Sequence, residues 1–290
     1  MSRVIFPAMQ DRHVPAALAI TLVLALLAGP VAGQQPAPGA GPGRGAGGRG
    51  VGPSPALPAG PAPRRPDGTV MLGGATIKDK GVWLPANGGA QTMVPAQMAL
   101  PYQDWARGVA ADREKNQLEP HTRCKPSGAA RQFLTPYGVE FVDLPEAKRV
   151  YIFDIGGPHT YRTIYLDRRT HPATLTPQYY GDSVGWWEGD TLIVDTIGFN
   201  ESFWIDRRGT PHTDALHTVE RFTRTDSRTI KYELMIEDPG AFTQPFNTSF
   251  NLGWEANTEL FEYVCQQGNE APTLMLGEQK TVDRSSPIVP

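Results

Sequence analysis

The sequence predicts an all-β protein: an antiparallel meander of about eight or nine strands closing into a β-barrel, with one helix before it. Three observations carry this. From Tyr137 onward, short runs alternate apolar and polar residues with a period of two. The connections between them read as turns, and no long helix reads between any pair. Parallel neighbours need a crossover of a dozen or more residues, so the antiparallel meander is the simplest topology. A meander this long removes its exposed edges by closing on itself. Closure at eight or nine strands leaves an interior about wide enough for one small ligand, as in lipocalin-like barrels. A two-sheet β-sandwich is the alternative.

The elements follow in order. "ALPYQDWARGVAADREKN", residues 99–116, spaces Tyr102, Trp105 and Val109 as one helical face and ends in the charged run Asp112 to Lys115. Such a helix suits either the mouth or the outside of a barrel. "YGVEFVDL" and "KRVYIFDI" are joined by "PEA", and "YRTIYLD" puts Arg162, Ile164 and Leu166 on one face. "DSVGWWEGDTLIVDTIGF" is a hairpin turning at Glu188-Gly189-Asp190. "LHTVERFTRT", "TIKYELMIED", "NTSFNLGWE" and "ELFEYVCQQ" complete the set. No repeat of propeller or solenoid length is evident.

The N-terminus reads differently. Arg3 and Arg12 precede the run "AALAITLVLALLA" from Ala16 to Ala28, and Val31 and Gly33 offer small residues for cleavage before Gln34. That core is shorter than the roughly 20 residues needed to span a bilayer. The expectation is therefore a signal peptide over 1–33, export to the periplasm or the medium, and no membrane span after cleavage. Residues 34–66 are almost entirely Gly, Pro and Ala with four arginines, which reads as a disordered, solvated linker. Residues 67–290 form the single β-rich domain.

The chain carries a formal charge of −3, and the leading segment with Arg3, Arg12 and Asp11 is net +1, leaving −4. This balance gives no electrostatic case for nucleic acid, which requires a basic face. Cys124 and Cys265 are the two cysteines. In an exported chain the pair predicts a disulfide, which would contribute on the order of 4 kcal/mol in the chain-entropy model.

The motifs "KGVWLPANGG", "CKPSGAARQFLTPYGVEF", "YRTIYLDRRTHP", "GDSVGWWEGDTLIVDTIGFNESFWID" and "GTPHTDALHTVERFTRTD" resemble a large family of exported bacterial proteins. The resemblance covers nearly the whole chain after about Gly81 and is most specific from Tyr161 to Asp226. It implies export and membership, and it brings no mechanism or ligand set with it. Where that family commonly carries Asp-Gly-Arg, this chain has Asp167-Arg168-Arg169.

Ionisable residues gather at strand ends. His159, His171, His212 and His217 all fall there, while His121 in "EPHTRC" reads as a surface loop residue. The acid/base reading pairs His212 with Asp214 or His217 with Asp182, and the full catalytic candidate set is His171, Asp182, His212, Asp214 and His217. Arg162, with its planar fork, His159, Trp187 and Glu220 are the binding candidates. A zinc or other divalent site would draw on His171, His212 and His217. His212 and His217 share a face on neither a helix nor a strand, so no metal set is complete within one element. "GDSVG" around Ser183 has Gly-x-Ser-x-Gly spacing but leads into a hairpin rather than a strand-turn-helix, so it is not a nucleophile elbow.

The leading expectation is thus a polar-lipped pocket performing acid/base or hydrolytic chemistry on a small organic molecule, as a hydrolase, lyase or isomerase. A non-catalytic small-molecule carrier and a structural envelope protein are the alternatives.

Overall fold

The computed structural model describes residues 59–86 and 98–265, apart from 77, 130 and 157. The apolar run 16–28 and the linker as far as residue 58 lie outside the described residues. Nine strands form one closed barrel in sequence order: β1 (Gly81–Pro85), β2 (Val139–Leu144), β3 (Arg149–Asp154), β4 (Thr160–Tyr165), β5 (Asp182–Glu188), β6 (Thr191–Ile197), β7 (His217–Arg224), β8 (Thr229–Glu237) and β9 (Phe246–Ala256). No helix among the described residues is long and apolar enough to cross a membrane.

The sequentially wound barrel is as expected, with one refinement. β4 and β5 run parallel, pairing Ile164 with Ser183 and Tyr165 with Val184, while every other pair is antiparallel. A ring with an odd number of strands cannot alternate direction all the way round, so nine strands force one parallel neighbour pair. The crossover that supplies it is the irregular segment 166–181, long enough to travel the length of the wall.

The identity of one strand also differs. "ELFEYVCQQ" forms no strand over its described residues, and Phe261 and Val264 stay exposed. The barrel is closed instead by the short segment β1, which pairs with β9 from Gly81↔Ala256 to Pro85↔Leu252 and with β2 only at Trp83↔Val139. Five residues ending in proline give little periodicity to read. What fixes β1 is tertiary: Trp83 is fully buried, lies 5.1 Å from Trp254 and donates from Nε1 to Leu72 O at 2.8 Å. The C-terminal stretch is tethered through the Cys124–Cys265 disulfide, with Cα atoms 5.5 Å apart.

The barrel interior is filled by side chains. A 3-10 turn, Arg131–Leu134, inserts Phe133 among inward-facing residues of three strands, 4.8 Å from Tyr232, 5.5 Å from Phe222 and 6.3 Å from Phe141. Rings account for large apolar area at low entropy cost, so one inserted turn supplies much of the core. The empty lumen expected of a lipocalin-like barrel is occupied here by the protein's own aromatic residues.

The helix α1 (Asp104–Asn116) lies within the expected span but presents another face. Ala106 and Ala110 are buried, whereas Trp105 is exposed and donates to Gly240 O at 2.9 Å. Small residues win the buried face because the β6–β7 connection approaches closely. Gly209, at φ +78°, would place a Cβ 3.1 Å from Ala110 O. The helix therefore sits where the β6–β7 and β8–β9 connections emerge, hereafter the upper end.

Residues 60–66, read as solvated linker, engage the opposite end. Arg64 forms a two-pronged pair with Asp190 at 2.7 and 2.6 Å, and Arg65 reaches Asp143 at 2.9 Å. Gly60 N donates to Ser227 Oγ at 2.9 Å, and Val70 and Leu72 behind them are fully buried. Arg224 then anchors the segment by donating to the carbonyls of Met71 and Gly73, both at 2.6 Å. Composition misses this because the contacts are made by two arginines and by backbone, not by apolar side chains.

Candidate functional site

The expected site residues divide among four places, the last of them a groove that takes only His159. The first is the barrel interior. Arg162 and Glu220, 1 % and 0 % exposed, form an ion pair. The guanidinium also donates to Ser183 Oγ at 2.9 Å and Thr196 Oγ1 at 2.7 Å, while Tyr232 donates its hydroxyl to Glu220 Oε1 at 2.9 Å. Arg162 does point inward, but its fork is committed to Glu220 and both side chains are buried, so neither is presented to a ligand. The network is an internal buried polar cross-brace between β4, β5, β6, β7 and β8. Trp187 likewise packs against the core.

The second place is the outer wall near the upper end. By the strand period, Asp182, Asp195, His217 and Glu237 all point outward. They form one hydrogen-bonded string. Glu237 Oε2 meets His217 Nδ1 at 3.3 Å, and His217 Nε2 meets Asp195 Oδ2 at 3.0 Å. Asp195 Oδ1 meets His171 Nε2 at 2.8 Å, His171 Nδ1 meets Asp182 Oδ1 at 2.7 Å, and Asp182 Oδ2 accepts from Arg168 at 2.6 Å. Partial burial pushes the Asp195 carboxyl up, but the hydrogen bonds and charges of His171 and His217 outweigh it and hold it below the ordinary value.

So His171, Asp182 and His217 do come together, through Asp195 rather than by the expected direct pairing of His217 with Asp182. Both ring nitrogens of each histidine face carboxylates, which leaves no lone pair directed at a metal. Among the described residues no group of three or more His, Cys, Asp or Glu side chains is arranged to hold a metal ion. The string pins the crossover 166–181 to the wall through Arg168 and His171. Arg168 stacks 4.2 Å over Tyr165 and has no left-handed backbone angle. Arg168→Gly is expected to cost less than about 1 kcal/mol in urea unfolding, since the pair is partly solvated. A loss above about 2 kcal/mol would mean that Arg168 itself holds the crossover.

The third place is beneath the β6–β7 connection. His212 is buried, its ring 4.2 Å from Phe203, with Nδ1 3.2 Å from Thr213 O and Nε2 without a partner. Burial pulls it down to about 4. It does not pair with Asp214, which lies exposed on the turn. The metal set His171, His212 and His217 is therefore split between the outside wall and the interior.

The strongest cluster was not among the expected residues. Asp154 ends β3 facing inward, 2 % exposed. Its Oδ1 accepts from Gly156 N at 2.6 Å and its Oδ2 from the Tyr180 hydroxyl at 3.1 Å. Tyr180 Oη lies 2.6 Å from Thr160 Oγ1. Burial pushes Asp154 up to about 7, against the opposing hydrogen bonds from Gly156 and Tyr180, and it raises Tyr180 well above its usual value. Beside them, Ser127 Oγ is 3.1 Å from His121 Nδ1. Arg131 grips Glu119 at 2.6 and 3.2 Å. His121 is not a surface residue: it is 8 % exposed, and burial lowers it to about 4. Gly156 is obligatory here, because a Cβ would sit 2.7 Å from both His121 Cε1 and Ser127 Oγ.

One signal for this cluster was present in the sequence. In "RVYIFD" the inward set is Val150, Ile152 and Asp154, so the alternation itself places a carboxyl in the core. His121, Ser127 and Arg131 come from irregular chain, where no period can be read.

Above the cluster lies a groove of about 430 Å³. Thr160, Tyr161, Gln178, Tyr179, Tyr180 and Asn200 line it, and His159 stands at its lip. Of the four histidines at strand ends, His159 is the one that lines it. The fold and site thus define a filled nine-stranded barrel with a groove at its upper end, lined by aromatic and uncharged polar side chains and backed by a buried carboxyl. No protein-family model, curated protein or solved structure matches the chain, so the reading of the site rests on its own geometry.

Proposed function

We propose that the protein is an exported barrel that binds a small organic molecule in the upper groove and performs acid/base chemistry on it through Tyr180 and Asp154. The observation that carries this is the continuous line from the groove through Thr160 and Tyr180 to Asp154. Tyr180 both lines the groove and donates to the carboxyl, so a proton taken from a ligand by the phenolic oxygen is matched by the phenol proton passing to Asp154. The reverse transfer returns it. A carboxyl near 7 is matched to this task at neutral pH.

The test is turnover of a panel of aryl esters and aryl glycosides between pH 5 and 9. The expected result is a rate that inflects near pH 7, as the Asp154 value implies. Tyr180→Phe should lower that rate by about 10² or more, and Asp154→Asn should flatten the pH profile, with circular dichroism unchanged in both. No turnover across the panel, or turnover indifferent to both substitutions, overturns the catalytic reading. The filled interior favours one other reading, a structural envelope protein, and that negative result is what it expects. A carrier with an internal cavity fits poorly, because Phe133 and its neighbours occupy the lumen.

A further inference from the structure

We infer that the ligand of the upper groove is a neutral saccharide. This rests on the groove being the binding site, and it adds the chemical class of what binds there.

The first observation is the chemistry of the lining. Among the described residues, no Asp, Glu, Lys or Arg side chain lines the groove, although charged residues make up 20 % of the chain. A cationic ligand would enter with no countercharge, and an anionic one would find only the His159 imidazole, so its desolvation would be poorly compensated. What the lining does offer is hydroxyls and carboxamides: Thr160, Tyr161, Tyr179, Gln178 and Asn200. Each of these groups both donates and accepts. A sugar hydroxyl does the same at a single oxygen, so it can pair with whatever these groups leave over after Asn200 Oδ1 accepts from Ser202 N and Thr160 bonds Tyr180.

The second observation lies just outside. Tyr161 is 57 % exposed and Phe153 is 37 % exposed, both on the outer faces of adjacent strands. With Tyr151 they form a mutually touching platform, with ring centroids 5.9 to 6.2 Å apart. Tyr161 belongs to both platform and groove, so the aromatic surface leads directly into the polar one. Large apolar side chains exposed side by side cost solubility unless something covers them. The apolar C–H face of a pyranose is suited to stacking on such rings, while its hydroxyl edges turn to the polar lining. One occupant with alternating apolar faces and neutral hydroxyl edges accounts for both surfaces, and an oligosaccharide longer than the groove would continue onto the platform.

A proline-rich peptide is the rival occupant, since aromatic grooves also dock extended proline segments, and residues 34–66 are such a segment. It is disfavoured because the arginines of that segment would meet no carboxylate in the lining, and Arg64 and Arg65 are already paired with Asp190 and Asp143 at the opposite end of the barrel.

The experiment is nuclear magnetic resonance titration of the chain with neutral oligosaccharides (cellotetraose, maltotetraose and chitotetraose), the polyanion tetragalacturonate, and a synthetic peptide of residues 34–66. At least one neutral oligosaccharide is expected to shift the amides of Thr160, Tyr161 and Asn200. Tyr161→Ala should weaken that binding about tenfold, whereas Trp186→Ala, on another part of the outer wall, should leave it unchanged. No neutral oligosaccharide binding, tighter binding of tetragalacturonate, or shifts at these residues with the peptide alone would each overturn the inference. If saccharides fail while aryl esters are turned over in a Tyr180-dependent way, the catalytic reading stands and this one falls. Saccharide binding with no turnover gives the converse.

Discussion

Replacing Glu220 with leucine is expected to destabilise the protein by about 3 to 5 kcal/mol, the characteristic cost of leaving a buried charge unpaired. Arg162 is 1 % exposed, and without Glu220 its guanidinium keeps only the Ser183 and Thr196 hydroxyls. The Tyr232 hydroxyl, which donates to Glu220, is stranded as well. The double replacement Arg162→Leu with Glu220→Leu should cost clearly less than Glu220→Leu alone, because it removes the charge along with its partner. Ser183 and Thr196 then still have each other at 3.0 Å. Urea unfolding of the two single variants and the double variant at neutral pH gives the coupling energy. A double variant no more stable than Glu220→Leu would mean that the network holds the barrel through its geometry rather than its charge balance.

That pair also shows how far the sequence could be read. Alternation in "YRTIYLD" and "LHTVERFTRT" puts Arg162 and Glu220 on the faces that turn out to be inward. What the sequence could not say is that they meet each other, since strand neighbours across a barrel are set by register and not by spacing along the chain. The same limit explains the histidine string. His171, Asp182 and His217 were readable as polar residues at strand ends, but Asp195, which joins them, reads equally well as an ordinary outward residue of β6.

Irregular segments were opaque for a different reason. Phe133, His121 and Ser127 lie in turns between α1 and β2, where neither a period of 2 nor one of 3.6 applies, and their burial comes from the barrel into which the segment folds. The strand count alone contained a consequence open to anyone reading the sequence: eight strands close with all neighbours antiparallel, and nine require one parallel pair. The long segment after "YRTIYLD" was the only connection among the strands from Tyr137 to Ile197 roomy enough to supply it.

Stability is expected to fall as the pH drops from 6.5 to 4, with a slope set by three buried groups. His121 and His212 are pulled down by burial to about 4 from 6.5. Between those values the unfolded chain takes up a proton at each histidine and the folded chain does not. Stability is therefore full above 6.5 and is lost across that window, by about 1.4 kcal/mol per pH unit for each histidine. Asp154 acts in the opposite sense. Its folded value is raised to about 7 from 3.8, so it stays protonated in the folded state while the unfolded chain releases its proton, and its contribution is lost as the pH rises towards 7. Two histidines against one aspartic acid leave a net of one proton, a loss of about 3 kcal/mol from pH 6.5 to 4. Below that range Glu119 adds to the loss: burial raises it, but the Arg131 charge and hydrogen bonds win and hold it low. Denaturation midpoints across pH 4 to 8 measure the slope. Asp154→Asn should steepen the acid limb towards two protons and abolish the decline between pH 6.5 and 7. His212→Leu should flatten the acid limb towards zero, since its Nε2 has no partner to lose. An acid limb unchanged by both substitutions would place the acid sensitivity elsewhere. Asp154 would then not be the group that titrates near neutrality, and the chemistry assigned to the groove would lose its base.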